Sequence, residues 1–525
     1  MHRNSIARDR SKMGKLHDLR ELLYEVPQWR MGPGPNGTRG FLKWVALTLL
    51  LSAPVQARQA PPAPAAATPV SLSAPIVTEH RGTFNGKKVA YRAFVEQFDA
   101  AGLDGAPAAK LVSISYVARN ATLDRPVLFV FNGGPIVHSA FLHMGAFGPK
   151  RVAIPDDIAA DPATFKSVDN RYSILDVADV VFFDPAGTGF SRTAKGIDIR
   201  TQFSNVADAR QLQQLVLAWT RAHRREGSPY YLVGESYGTI RASEAARQLA
   251  ESGRPPAGLV LIGQAVNIVE YVQRRGNIVS YAVSLPTLAA IAWHHYRAER
   301  RGRSFDRYMQ DAHDFAAKAY LTALFAGATA PLDERQAVAR RLQEFTGIPA
   351  DFWLKNALRM TKTDYQRALF PGKLLDTYDA RYVSPVGQSS PFSAVSNSYI
   401  DALLAYLASD LGVTAKVGSY VREVPTSGLN GWDFGPNKTP FGDWPYGEPI
   451  TDLFAAQPDF RLLVANGYYD TQTTIGAQNY LVTQSGWPRA RVRSYNYQGG
   501  HMPYTIEASL AAMMQDVRAM VTRRW

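Results

Sequence analysis

Cysteine is absent from all 525 residues. That excludes disulfide staples, thiolate metal sites and a cysteine nucleophile. It does not exclude export, since an exported chain without cysteine simply folds without disulfides. Long apolar runs are missing as well. The run inside "GFLKWVALTLLLSA" holds about ten residues, too short to span a bilayer comfortably, so no stable membrane span is expected. No segment repeats at a fixed period. Basic blocks are missing too. The formal charge is +13, yet no five or six consecutive residues are basic, and no basic run is interleaved with aromatics. Residues 1–57 hold nine Lys/Arg against four Asp/Glu, and the rest of the excess is spread along the chain. A solvated basic surface follows, and no nucleic-acid partner is expected.

What the N-terminus does hold is a leader. Arg39 and Lys43 open an apolar stretch that closes on small residues at Ala57, the pattern of a secretory signal. Export to the periplasm or beyond is expected, with an uncleaved N-terminal anchor as the alternative. The first 30 residues are polar, and a translation start at Met31 is one explanation of them. "QAPPAPAAATPVSLSAP" then reads as a linker, assigned to 58–77, since Pro/Ala-rich chain buries no core.

Beyond the linker, "GTFNGKKVAYRAFV" carries Asn85-Gly86 between alternating residues, a hairpin signal. "KLVSISYVAR" reads as a further strand. The apolar runs "PVLFVF", "DVVFFD", "YYLVGES", "GLVLIG" and "RLLVANG" alternate with helical patterns. Such runs indicate strands covered on both faces, hence an α/β fold with a mostly parallel central sheet. Between the last two runs lie stretches of helical apolar spacing, such as "SNSYIDALLAYLASDL", and a Gly-, Pro- and aromatic-rich piece, "TSGLNGWDFGPNKTPFGDWPYGEP". Residues 78–263 and 450–525 are therefore expected to build the core, with 264–449 a mainly helical lid insertion.

The chemistry gathers at strand ends. Gly234-Glu235-Ser236-Tyr237-Gly238 is a G-x-S-x-G pentapeptide between an apolar strand and a helix-forming segment. A nucleophile elbow needs that context, because glycines relieve crowding at a sharp strand-to-helix turn while the serine projects from its tip. A serine hydroxyl needs a base, and the base an orienting carboxylate. In α/β-hydrolases these follow the serine as acid, then histidine. Asp470 ends "RLLVANGYYD", and His501 is the one histidine of the ten downstream of both. The Gly-Gly corner after "PVLFVF" also gains a purpose. An oxyanion needs two backbone N–H donors, expected here from Tyr237 and Gly134.

Together "NGGP", "VVFFDPAGTGFS", "YLVGESYG", "NGYYD" and "GGHMPY" resemble the serine carboxypeptidases, an α/β-hydrolase family with a Ser-Asp-His triad. The resemblance covers most of residues 80–510 and looks like the bacterial branch. It implies release of the terminal residue from a peptide with a free C-terminus, without cofactor; no metal ligands are assigned. It implies Ser236 as nucleophile, Asp470 as acid, His501 as base, and Gly134 and Tyr237 as oxyanion donors. It also implies that Asn132, Gly133 and Glu235 bind substrate, with Asn132 and a protonated Glu235 holding the terminal carboxylate.

Several positions depart from the family pattern. Val130 stands where better-known members have Trp, and Ala146 where they have a second Glu, so two of four carboxylate-binding positions differ. Ile136 replaces a glycine in the "NGGP" loop. A β-branched residue at positive φ is an outlier, so either the loop bends differently or this position is not left-handed. His138, just beyond, is expected to face solvent or to border the substrate. Two other functions compete. An esterase or acyltransferase would use the same triad, since fold and triad set acyl transfer but not the substrate. A catalytically impaired binding protein would fit the altered loop.

Overall fold

The computed structural model describes residues 72, 74–119, 121–414, 417–422, 431–435 and 443–525. The leader, most of the linker and parts of the Gly-, Pro- and aromatic-rich piece lie outside the described residues.

Strands β1 (Ile76–Phe84) and β2 (Lys87–Ala101) form the hairpin that Asn85-Gly86 predicts. Both turn residues are left-handed, at φ 48° and 78°, which matches the right-handed twist of the flanking strands. β3 (Pro107–Ala118) pairs antiparallel with β2. Then come β4 (Val127–Phe131), β5 (Asp179–Phe183), β6 (Tyr230–Glu235) and β7 (Gly258–Ile262), each buried along its whole length. β8 (Arg461–Gly467) and β9 (Val492–Tyr497) complete the main path. The spatial order is β1-β2-β3-β5-β4-β6-β7-β8-β9, with the short strand Arg192–Thr193 added beside β3. Every neighbouring pair from β5 to β9 is parallel. This is the α/β-hydrolase architecture expected from the sequence.

Alternate residues of each central strand feed opposite faces. Val127, Phe129 and Phe131 point into one cluster, covered by α1 (Asn205–Ala222) and α2 (Gly238–Glu251). Leu128 and Val130 point into the other, covered partly by α5 (Glu507–Val521).

The chain between β7 and β8 is mainly helical over the described residues, and it divides in two. Residues 278–369, including α3 (Ile278–His294), bury an apolar cluster of their own around Tyr308, Leu342, Phe345 and Trp353. Helix α4 (Phe392–Ser409) instead puts Tyr399, Leu403 and Leu407 into the cluster beneath Leu128 and Val130. Helix Glu448–Ala456 packs Ile450, Leu453 and Phe454 onto the opposite face, so the boundary expected at 449 falls inside a helix. Apolar spacing shows that a helix buries a face; it does not show against what.

Candidate active site

β6 ends at Glu235 and α2 begins at Gly238, so Ser236 and Tyr237 make the whole turn between them. Ser236 takes φ 60°, a left-handed conformation that costs a non-glycine residue about 1–3 kcal/mol. Its N–H donates to the Ile262 carbonyl at 2.9 Å, tying the turn to the end of β7. No bulkier residue fits at Gly234, where a Cβ would stand 2.3 Å from the Gly238 carbonyl oxygen. A cavity of about 430 Å³ opens over the turn and is lined by Ser236, Tyr237 and Gly134.

The Gly-Gly corner after β4 leans directly on this elbow. A Cβ on Gly133 would lie 2.6 Å from both the Tyr237 nitrogen and the Glu235 oxygen. Gly134 follows at φ 105°. Among the described residues, neither the Gly134 N–H nor the Tyr237 N–H donates to a protein acceptor. Two open donors thus border the cavity that Ser236 enters. The corner is held from behind: Arg241, fully buried and ion-paired with Asp208 at 2.7 Å, donates to the Asn132 carbonyl at 2.6 Å. Asp184, from "VVFFDPAGTGFS", accepts from the N–H and hydroxyl of Ser139, each at 2.7 Å, and so anchors the far end of the loop.

His501 Nδ1 and Asp470 Oδ2 are 2.7 Å apart, and both residues are buried. Asp470 also accepts from the N–H groups of Gln472 and Thr473, at 2.7 and 3.1 Å, and from the Thr473 hydroxyl at 2.6 Å. With four donors on it, the carboxylate is fixed in place. Burial works to lower the His501 pKa. The Asp470 charge, its hydrogen bond and Glu235 together outweigh that and raise it above the ordinary 6.5. The imidazole sits against Gly263, where a Cβ would be 3.0 Å from Cε1. Gly263 directly follows Ile262, the residue bonded to Ser236. Among the described residues, Ser236 Oγ makes no hydrogen bond to His501.

Beneath the elbow lies a third group. Glu235, 3% exposed, accepts from Asn132 Nδ2 and from the Tyr504 hydroxyl, each at 2.7 Å. Burial pushes its pKa up to about 7, against the lowering effects of His501, Tyr504 and Asn132. Asn132 Oδ1 in turn accepts the Leu142 N–H at 3.1 Å. Val130 and Ala146 are wholly buried nearby in the apolar core.

Residues 112–256 match the family model of the serine carboxypeptidases. That stretch includes Asn132, Gly133, Gly134, Glu235, Ser236 and Tyr237, and agrees with the family resemblance read from the motifs. Solved structures similar to the chain include Kex1(delta)p, a prohormone-processing carboxypeptidase from Saccharomyces cerevisiae, at 13% identity over 83% of this chain and 92% of that one, TM-score 0.48. Others are a proline iminopeptidase from Mycobacterium smegmatis (14%, 85% and 100%, TM-score 0.33) and a thermostable carboxyl esterase from Bacillus coagulans (13%, 82% and 98%, TM-score 0.35).

Two expectations for the loop need correction. Ile136 sits at φ 56°, so the loop does use the left-handed conformation that a glycine would favour. The side chain is buried in the same cluster as Phe131 and Tyr237, and that burial offsets the strain. His138 does not face solvent: it is 1% exposed, between the rings of Phe141 and Tyr420 at 5.2 and 5.5 Å. Burial lowers its pKa to about 4, which keeps the ring neutral. It is not among the residues lining the Ser236 cavity.

Sequence reasoning missed Thr473, Tyr504, Gly263 and Lys362. The first two had a signal, since Thr473 lies three residues after Asp470 and Tyr504 three after His501. Lys362 had none: it reaches the cavity from a helix 126 positions beyond Ser236.

Proposed function

We propose that the protein is a serine carboxypeptidase that releases the C-terminal residue of a peptide through an acyl-enzyme. Ser236 Oγ attacks the last peptide carbonyl while His501 takes its proton. Asp470 holds the imidazole with Nε2 facing the serine and balances the imidazolium charge. The N–H groups of Gly134 and Tyr237 receive the oxyanion. His501 then protonates the departing amine, and a water activated by the same ring releases the acyl group. Gly133 keeps the oxyanion loop in contact with the elbow. Glu235, protonated below about pH 7, joins Asn132 in holding the substrate carboxylate. Export through the leader belongs to this reading.

The observation that carries it is the left-handed Ser236, sharing one cavity with two open N–H donors, beside the buried His501–Asp470 pair. The test is release of a free amino acid from N-blocked dipeptides, with fluorophosphonate labelling of wild type and Ser236→Ala. Wild type that neither labels nor cleaves refutes the reading. A second reading, an esterase or acyltransferase with the same triad, is favoured by Val130 and Ala146, which are apolar where the family's carboxylate-binding residues stand. Faster turnover of substrates blocked at the C-terminus would support it.

A further inference from the structure

One charged side chain lines the Ser236 cavity among the described residues, and it is Lys362. Its placement is built. The Lys362 N–H donates to Gln273 Oε1 at 2.6 Å, and Gln273 Nε2 donates to the Met360 carbonyl at 3.2 Å. Lys362 Nζ donates to the Gln472 carbonyl at 2.9 Å, and Gln472 belongs to the turn that also binds Asp470. The ammonium lies over the Tyr271 ring at 5.2 Å. Among the described residues it has no carboxylate within ion-pair distance. An ammonium has three donors, and one bond to Gln472 leaves two for a ligand. Burial lowers its pKa to about 8, with Asp470 acting the other way, so the group is charged at neutral pH.

The side of the site it serves follows from the chemistry. His501 must protonate the leaving amine, so the departing residue lies against His501. His501 does not line this cavity, and neither does Tyr378, whose ring stands 5.6 Å from the imidazole. The cavity walls are Tyr237, Ile240, the segment after β7 and Gln472–Thr473. It therefore takes the acyl half of the substrate.

We propose that Lys362 makes the site select an acidic side chain, aspartate or glutamate, on the residue whose carbonyl is attacked, which is the penultimate residue of the peptide. The inference rests on the peptidase reading. The test compares N-blocked dipeptides with Glu, Gln or Lys before one common C-terminal residue, using the full chain. Charge-assisted bonds predict a Glu-over-Gln preference of about 10- to 100-fold in kcat/KM, mostly through KM. Lys362→Met brings that ratio close to one, Lys362→Arg keeps it, and Lys362→Glu turns preference toward Lys. The ratio is read within each protein, so a general loss of activity cancels; if Lys362→Met fails to fold, Lys362→Glu decides. A wild type that cleaves the Gln peptide with no Glu preference overturns this inference alone, as does a Lys362→Met protein that keeps the preference. A wild type that cleaves none of the peptides and resists fluorophosphonate overturns the peptidase reading, and this inference with it.

Discussion

Replacing Glu235 with glutamine removes one titrating proton and almost no volume. In the native protein, burial lifts the carboxyl from 4.5 to about 7, although Asn132 and Tyr504 both donate to it. The folded state therefore holds a proton that the unfolded chain releases. The linked stability is fully present below pH 4.5 and is lost as pH rises through about 7. The move from 4.5 to about 7 corresponds to at most about 3 kcal/mol. Glu235→Gln carries no such dependence. Urea unfolding of both proteins at pH 4.5 and above pH 7 should show wild type losing up to that amount relative to the variant. Parallel stability curves, or wild type gaining on the variant as pH rises, would refute the argument. Activity gives a second readout. Above about pH 7 the ionised Glu235 repels a substrate carboxylate, so KM for free-acid peptides rises in wild type and stays level in the variant. Glu235 also helps to raise the His501 pKa, so the rising limb of the pH–rate profile moves to lower pH in Glu235→Gln. Each limb in wild type belongs to the interacting pair.

Ser236→Ala and His501→Ala should each lose several orders of magnitude in kcat for release of the terminal residue, and Asp470→Asn somewhat less, with circular dichroism unchanged. A near-wild-type rate in either of the first two refutes the triad. Gly133→Ala drives a Cβ to 2.6 Å from the Tyr237 nitrogen and should cut kcat roughly 100-fold or more with a smaller change in KM; an unchanged kcat separates this loop from oxyanion binding. Ile136→Gly relieves a left-handed β-branched residue but empties a buried site, and the second effect is larger, so a net loss of about 1–3 kcal/mol is expected in denaturant unfolding. A stabilised variant would show that strain dominates.

Much of the sheet was legible because strands buried on both faces must be continuous apolar runs, and "VLFVF" and "DVVFF" are such runs. The elbow was legible because only small neighbours permit its turn, and Gly234 and Gly238 stand on either side. The surroundings of the site were not. Glu235 meets Tyr504 across 269 positions, and no local pattern announces that contact. His138 looks polar and loop-borne in sequence, yet Tyr420, some 280 residues later, closes over it. Ile136 shows how a local rule yields: a disfavoured φ is accepted because the side chain gains burial against Tyr237 and Phe131. Helix α4 has an apolar stripe like its neighbours, and only tertiary packing distinguishes a core helix from a cap helix.

The division of the chain between β7 and β8 separates two kinds of heritable change. Residues 278–369 carry most of their own apolar interior, so recombination can lengthen, trade or redraw them without uncovering the sheet. Helix α4 has no such freedom, because its loss would strip cover from Leu128 and Val130. Ser236, Asp470 and His501 all hang from the sheet side of this divide, beyond the ends of β6, β8 and β9. Lys362 hangs from the tradable side. Descendants of this chain can therefore exchange part of the cavity lining while keeping Ser236, Asp470 and His501 in place.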